Sequence, residues 1–136
     1  PLTEALREHM AHRSLLLPVT QPGRRMLWTP WLDSTGFAPS GPGGLPEAVG
    51  PLSEAPQDLG LVLVPALAVD AEGLRLGMGG GFYDRSLAYR ARRKKSHKPT
   101  LLGLAHECQR VDRLPLESWD VPLLGTVTDR GWYVER

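Results

Sequence analysis

The sequence predicts an open α/β fold, a mainly parallel sheet with helices on both faces, in a single domain. Three observations lead there. Short apolar runs of strand length alternate with segments of helical spacing, the pattern of a sheet whose strands are joined by crossovers. The run LVLVP, Leu61 to Pro65, is apolar throughout with valines at alternate places, as expected of a strand covered on both faces and therefore central. At 136 residues the chain has the size of one core and little room for a second.

Each element follows in order. Leu2, Ala5, Leu6 and Met10 share one helical stripe, which predicts a helix from Thr3 to His12 with Thr3 as its N-cap. Leu15 to Val19 is an apolar run closed by Pro18 and Pro22-Gly23, a strand and a turn, and Met26 to Trp28 reads as another strand. Asp33 to Asp58 is rich in Gly, Pro and Ser with neither hydrophobic period, so a long loop is expected. After LVLVP, Ala71-Glu72-Gly73 marks a turn, and Gly77 to Gly81, four glycines in five places, cannot be regular structure. Phe82 to Arg93 is expected to be helical. Leu101 to Ala105, Leu124 to Val127 and Trp132 to Val134 complete the strands. In sheets of this kind ligands bind beyond the carboxyl ends of the strands, where the glycine segment would lie.

Composition narrows the function classes. Hydrophobic residues make up 41% and charged residues 23%, ordinary globular usage, and no apolar run approaches the roughly 20 residues that span a bilayer. Pro1 to Leu6 has neither the basic end nor the apolar stretch of a signal peptide, and Cys108, the single cysteine, cannot form an internal disulfide. A soluble protein of the reducing cytoplasm, with no membrane partner, is the expectation. Net charge is +1, but six basic residues, Arg90, Arg92, Arg93, Lys94, Lys95 and Lys98, fall together; the remainder, ten basic against fifteen acidic residues, is about −5. A polyanion binder normally spreads positive charge over a broad face, so no nucleic-acid partner is expected. The basic loop has three readings: a solvated segment, an attractor for a polycarboxylate ligand tail, or an RNA contact.

The chemistry concentrates after Leu61. A strand, a turn, Arg75, the glycine-rich loop and a helix opening with Tyr83 and Asp84 follow one another. Backbone amides freed by glycines, together with a helix N-terminus, suit phosphate oxygens. Arg75 supplies fixed charge, and Asp84 suits a hard cation such as magnesium. The plainer alternatives are a tight connection for the glycines and a helix-dipole role for Asp84. There is no GxxxxGK[ST], and a GxGxxG begun at Gly77 has Phe82 in its last place, which excludes the P-loop and the dinucleotide fingerprint. His9 and His12 are three apart while His97 and His106 are distant, so no zinc set is expected. Cys108 reads as an incidental thiol. Trp28, Trp31, Trp119 and Trp132 are packing residues or, alternatively, a ring for stacking on a ligand.

The string RLGMGGGFYDR, Arg75 to Arg85, preceded by VPALAVD at Val64 to Asp70, resembles the signature of the 5-formyltetrahydrofolate cyclo-ligases, also called methenyltetrahydrofolate synthetases. The similarity continues through VDRLPLESWDVPL, Val111 to Leu123, and more weakly upstream through LLLP at Leu15 to Pro18 and GLPE at Gly44 to Glu47. The resemblance implies an ATP- and Mg2+-dependent ligase, expected to act as a monomer on 5-formyltetrahydrofolate, that closes the ring to 5,10-methenyltetrahydrofolate with release of ADP and phosphate. The alternative is a non-catalytic relative that binds a nucleotide or a protein partner.

Residue by residue, the resemblance places Arg75, Gly77, Gly79, Gly80, Gly81 and Tyr83 in the nucleotide loop, with Arg75 and Tyr83 acting on the transferred group. Asp84 and Asp120 match the magnesium carboxylates, although Asp120 is equally suited to a turn before Val121-Pro122. Gly44 and Glu47 border the folate site, as does Met78, at a position where the family often carries arginine. The family's opening helices and first strand, with the lysine and arginine that hold phosphates and a glutamate facing the pterin, have no counterpart in these residues.

Overall fold

The computed structural model describes residues 2–10, 13–54, 59–92 and 98–134. The chain divides into two compact units, 1–55 and 56–136, where the sequence suggested one core.

In the first unit, α1 (Leu2–His9) contains Thr3 rather than being capped by it, and His12 lies outside the described residues. β1 (Leu16–Val19) and β2 (Leu27–Pro30) pair antiparallel, Leu16 opposite Pro30 and Val19 opposite Leu27. The expected long loop instead holds β3 (Gly36–Ala38), a 3-10 turn at Pro42–Gly44 and β4 (Glu47–Val49), with β3 and β4 antiparallel. Strands of three residues are too short to display a period of two, which is why they were invisible in the sequence. Met26, Trp28, Thr29 and Ala48 are buried here, and Trp28 exchanges two 2.9 Å backbone hydrogen bonds with Ser53.

The second unit is built on β5 (Leu61–Pro65), β8 (Thr100–Leu104), β9 (Gly125–Val127) and β10 (Trp132–Val134), in spatial order β10-β9-β8-β5. β5, β8 and β9 are parallel and β10 is antiparallel to β9. LVLVP is thus an edge strand of this sheet and not its centre. Val62 and Val64 are buried while Leu61 is exposed, the alternation of a strand covered on one face. The centre belongs to β8, where Leu101, Leu102 and Gly103 are consecutively buried.

Between β5 and β8 the chain forms a two-stranded hairpin of β6 (Ala68–Val69) and β7 (Arg75–Leu76), then α2 (Phe82–Leu87) and α3 (Tyr89–Arg92), two short helices where one was expected. The crossover from β8 to β9 carries a 3-10 turn, Glu107–Gln109, and irregular chain. The fold is α/β with a mixed sheet and few helices; helices on both faces are not found among the described residues. Val62, Val64, Val69, Leu74, Leu87, Leu101, Leu102, Val121 and Leu123 form the core. Residues 93–97 of the basic loop lie outside the described residues. No helix among the described residues is long and apolar enough to cross a membrane.

Candidate functional site

Asp70 builds the scaffold for Arg75. Buried at the end of β6, its Oδ1 accepts backbone hydrogen bonds from Glu72 (3.0 Å) and Leu74 (2.9 Å), closing the turn that Gly73 completes with φ 78°. The turn returns the chain so that Arg75 sits opposite Val69. Oδ2 of Asp70 accepts from the Leu114 amide at 2.8 Å, and the amides of Val111 and Leu123 donate to Val69 and Gly73. The hairpin is therefore clamped to the 111–123 segment.

The glycine segment then carries the chain from β7 to α2. Gly79 (φ 81°) and Gly81 (φ 60°, ψ 20°) occupy the left-handed region that favours glycine. Gly80 is needed for space, since a Cβ there would meet the Phe82 ring at 2.5 Å. Arg85 fastens the segment: its Nη2 donates to the Gly80 carbonyl at 2.6 Å, and its guanidinium lies 5.4 Å from the centre of the Phe82 ring. Met78, Gly79 and Gly80 are exposed, so their backbone faces solvent.

Behind this loop Arg75 donates from Nη2 to Oδ1 of Asp84, forming an ion pair between side chains only 7% and 21% exposed. The Arg75 guanidinium also lies 5.8 Å from the centre of the Tyr83 ring, and Arg75 Nε is buried with no hydrogen-bond partner among the described residues. Burial pushes the Tyr83 phenol up to about 12, against the opposing pull of the Arg75 charge. At neutral pH Tyr83 is consequently a hydrogen-bond donor and not a base. Arg75, Gly77, Gly79, Gly80, Gly81, Tyr83 and Asp84 are thus brought together, offering a cation, a carboxylate, a neutral phenol and open backbone on one loop.

Asp120 occupies a turn in the same unit: its Oδ2 accepts from the Glu117 amide at 2.8 Å, and its own amide donates to the Glu117 carbonyl at 3.1 Å. No group of three or more His, Cys, Asp or Glu able to hold a metal occurs among the described residues. Magnesium is commonly held through one or two carboxylates with phosphate and water completing its shell. Asp84 and Asp120 each have only one oxygen engaged among the described residues, so their chemistry fits such an ion.

Gly44 and Glu47 belong to the first unit. Gly43 and Gly44 take φ 69° and 77° at the 3-10 turn, and Gly44 is exposed. Glu47 is buried, its Oε1 accepting from the Thr20 amide (2.8 Å) and hydroxyl (2.6 Å), with Ser40 at 3.4 Å from Oε2. Among the tryptophans Trp28 is buried, whereas Trp119 and Trp132 are at least half exposed.

Two features were not foreseen in the sequence. One is the Asp70 clamp. The other is a polar cluster just past the carboxyl ends of β8 and β9. There Glu107 accepts from Thr128 Oγ1 (2.7 Å), Tyr133 (3.1 Å) and Arg110 (3.2 Å), and Arg110 stacks 3.5 Å from the centre of the Tyr133 ring. The Thr128 hydrogen bond first, then those from Tyr133 and Arg110, hold the Glu107 carboxyl below its usual range against partial desolvation. His106, Glu107, Cys108, Asp129 and Arg130 line an open depression of about 350 Å³ beside it. The signal available in the sequence was the polar run HECQR directly after the apolar strand.

Comparison with known proteins agrees with the signature. A 5-formyltetrahydrofolate cyclo-ligase of Escherichia coli K12 is 47% identical over 70 residues, 52% of this chain and 36% of that protein. The enzyme of that name from Haemophilus influenzae is 52% identical over 66 residues, 48% of this chain and 33% of the relative. The solution structure of Aquifex aeolicus 5,10-methenyltetrahydrofolate synthetase matches 99% of this chain and 65% of its own, with TM-score 0.71 and 32% identity. The corresponding protein of Mycoplasma pneumoniae, 20% identical with TM-score 0.55, shares the fold. The matched region thus spans about a third of the two sequence relatives and 65% of the Aquifex structure. The model of the 5-formyltetrahydrofolate cyclo-ligase family matches residues 1–129, and the chain belongs to that family.

Proposed function

We propose that this chain carries the nucleotide-binding part of an ATP-dependent 5-formyltetrahydrofolate cyclo-ligase. The observation that carries the reading is the grouping of Arg75, Tyr83 and Asp84 behind an open glycine loop. In the reaction, the terminal phosphoryl group of ATP passes to the formyl oxygen, leaving ADP. The N10 nitrogen then attacks the activated carbon, and phosphate departs as the ring closes to 5,10-methenyltetrahydrofolate. No protein nucleophile is required, so positioning and charge stabilisation are the protein's share.

In this reading the backbone of Gly77, Gly79, Gly80 and Gly81 lies along the phosphates. Arg75 balances charge on the transferred group, and Tyr83, protonated, donates a hydrogen bond. Asp84 and Asp120 would hold magnesium, which when bound neutralises phosphate charge. Met78, uncharged and 74% exposed, borders the folate without an ionic contact. In the first unit, taken by itself, Gly44 and Glu47 are assigned to the folate by the resemblance alone, and Glu47, engaged by Thr20 and Ser40, holds the shape of its loop. The reading takes the enzyme to be cytoplasmic and monomeric; the exposed free thiol of Cys108 suits a reducing compartment.

The test is to supply Mg-ATP and 5-formyltetrahydrofolate and follow methenyltetrahydrofolate by absorbance together with ADP release. Both this chain alone and a form extended by the opening segment of a relative are assayed. Product from the extended form, reduced by Asp84→Ala, is the expected result. A folded extended form that makes neither product discards the reading.

A further inference from the structure

We propose that the Arg75–Asp84 ion pair makes the loop selective for the magnesium complex of the nucleotide over either component alone. The inference rests on the nucleotide reading above and deepens it. Each member of the pair occupies the place that its partner's ligand would take. Arg75, the phosphate-facing cation, is held by the carboxylate that would face the metal, and Asp84 is neutralised by the guanidinium that would face phosphate.

Both side chains are largely withdrawn from water, at 7% and 21% exposure. Parting such a pair leaves a poorly solvated charge unless each half finds a new partner at once. A metal-free nucleotide could compensate Arg75 but would bring its own negative charge against a released Asp84. A bare divalent cation could compensate Asp84 but would face a released Arg75. The magnesium complex supplies an anion and a cation together, so both halves are repaired in one step. Arg75 Nε, buried and without a hydrogen-bond partner among the described residues, gives the guanidinium a further donor to use when it turns from Asp84 to a phosphate oxygen. The Tyr83 ring, 5.8 Å away, can remain beside the cation in either arrangement.

Three calorimetric titrations separate this from ordinary metal and phosphate contacts: ATP with a chelator, Mg2+ alone, and Mg-ATP. Asp84→Asn is expected to bind metal-free ATP at least tenfold more tightly than the unaltered chain and Mg-ATP more weakly. Arg75→Gln is expected to bind Mg2+ alone more tightly. In the unaltered chain, the Arg75 Nε–H resonance, assigned by its loss in Arg75→Lys, should shift with Mg-ATP. It should stay in place with either component at the concentration at which the complex saturates. This measurement is made on the unaltered chain and does not depend on the affinities of Asp84→Asn or Arg75→Gln.

If Mg-ATP binding is weakened by Asp84→Asn while metal-free ATP and bare Mg2+ bind the variants and the unaltered chain equally, the nucleotide reading survives and the selectivity mechanism is overturned. A resonance that moves equally with one component alone overturns it as well. Failure of both this chain and the folded form extended by the opening segment of a relative to bind Mg-ATP overturns both.

Discussion

Oδ2 of Asp70 accepts a 2.8 Å hydrogen bond from the backbone amide of Leu114, 44 residues further along the chain. With Oδ1 closing the turn before Arg75, one buried carboxylate fixes both the entry to the glycine loop and the segment that leads to Asp120. Asp70→Ala would leave three amides without this acceptor, and hydrogen bonds to a charged group contribute about 1.5–3 kcal/mol each before relaxation. A loss of about 3 kcal/mol overall is expected, read from the midpoint of urea unfolding. Asp70→Asn, which retains one acceptor oxygen, should lose less. Equal midpoints for Asp70→Ala and the unaltered chain would falsify the clamp.

Burial of Tyr83 gives a pH signature. Its folded pKa of about 12 lies above the ordinary value of 10.0, so above pH 10 the unfolded chain loses this proton first. The associated stability is fully present below pH 10 and is lost as pH rises through about 12. Two units correspond to about 3 kcal/mol by linkage. Thermal unfolding across that window should decline more steeply for the unaltered chain than for Tyr83→Phe, because the variant lacks this proton. Parallel declines would show that Tyr83 titrates normally.

The glycines of the loop are not equivalent. A Cβ at Gly80 would press on the Phe82 ring at 2.5 Å, whereas one at Gly77 meets only Arg75 Nη1 at an ordinary 3.7 Å. Gly80→Ala should displace the loop, costing about 1–3 kcal/mol in overpacking. It should also weaken Mg-ATP binding by about tenfold or more, a change of about 1.4 kcal/mol. Gly77→Ala should bind nearly as well as the unaltered chain. Calorimetry of the two variants side by side is the check, and the reverse order would count against this loop geometry.

What the sequence disclosed follows from the range of the interactions concerned. LVLVP and LLGLA were legible as strands because apolar runs of that length record local conformation. That the first lies at the edge of the described sheet and the second at its centre depends on pairings between Leu61–Pro65 and Thr100–Leu104, which neither run encodes alone. Phe37 and Ala48 face each other across β3 and β4 in strands of three residues, below the length at which alternation can be seen. The glycines, Arg75, Tyr83 and Asp84 were found together because they are neighbours in sequence. Their ion pair was not foreseen, since it depends on a left-handed Gly79 and Gly81 returning the chain to Arg75. Asp70 and Glu107 stayed hidden for a similar reason: several of their partners lie 21 to 44 residues away.

Asp120 has one observed role, in a turn, and one proposed role, toward magnesium, which a pair of substitutions can separate. Its Oδ2 accepts from the Glu117 amide at 2.8 Å, a turn that needs an acceptor but not a charge, and magnesium needs an ionised oxygen. Asparagine retains the acceptor and removes the charge; alanine removes both. If Asp120 only holds the turn, Asp120→Asn should keep both thermal stability and Mg-ATP affinity, while Asp120→Ala loses about 1 kcal/mol of stability for one hydrogen bond. If it also serves the metal, Asp120→Asn keeps the stability of the unaltered chain yet binds Mg-ATP about tenfold more weakly, with metal-free ATP unaffected. We expect the second pattern, because Oδ1 accepts nothing among the described residues while Oδ2 holds the turn. Unfolding midpoints paired with Mg-ATP titrations on the two variants decide it: full Mg-ATP affinity in Asp120→Asn would assign Asp120 to the turn alone and leave Asp84 as the magnesium carboxylate of this chain.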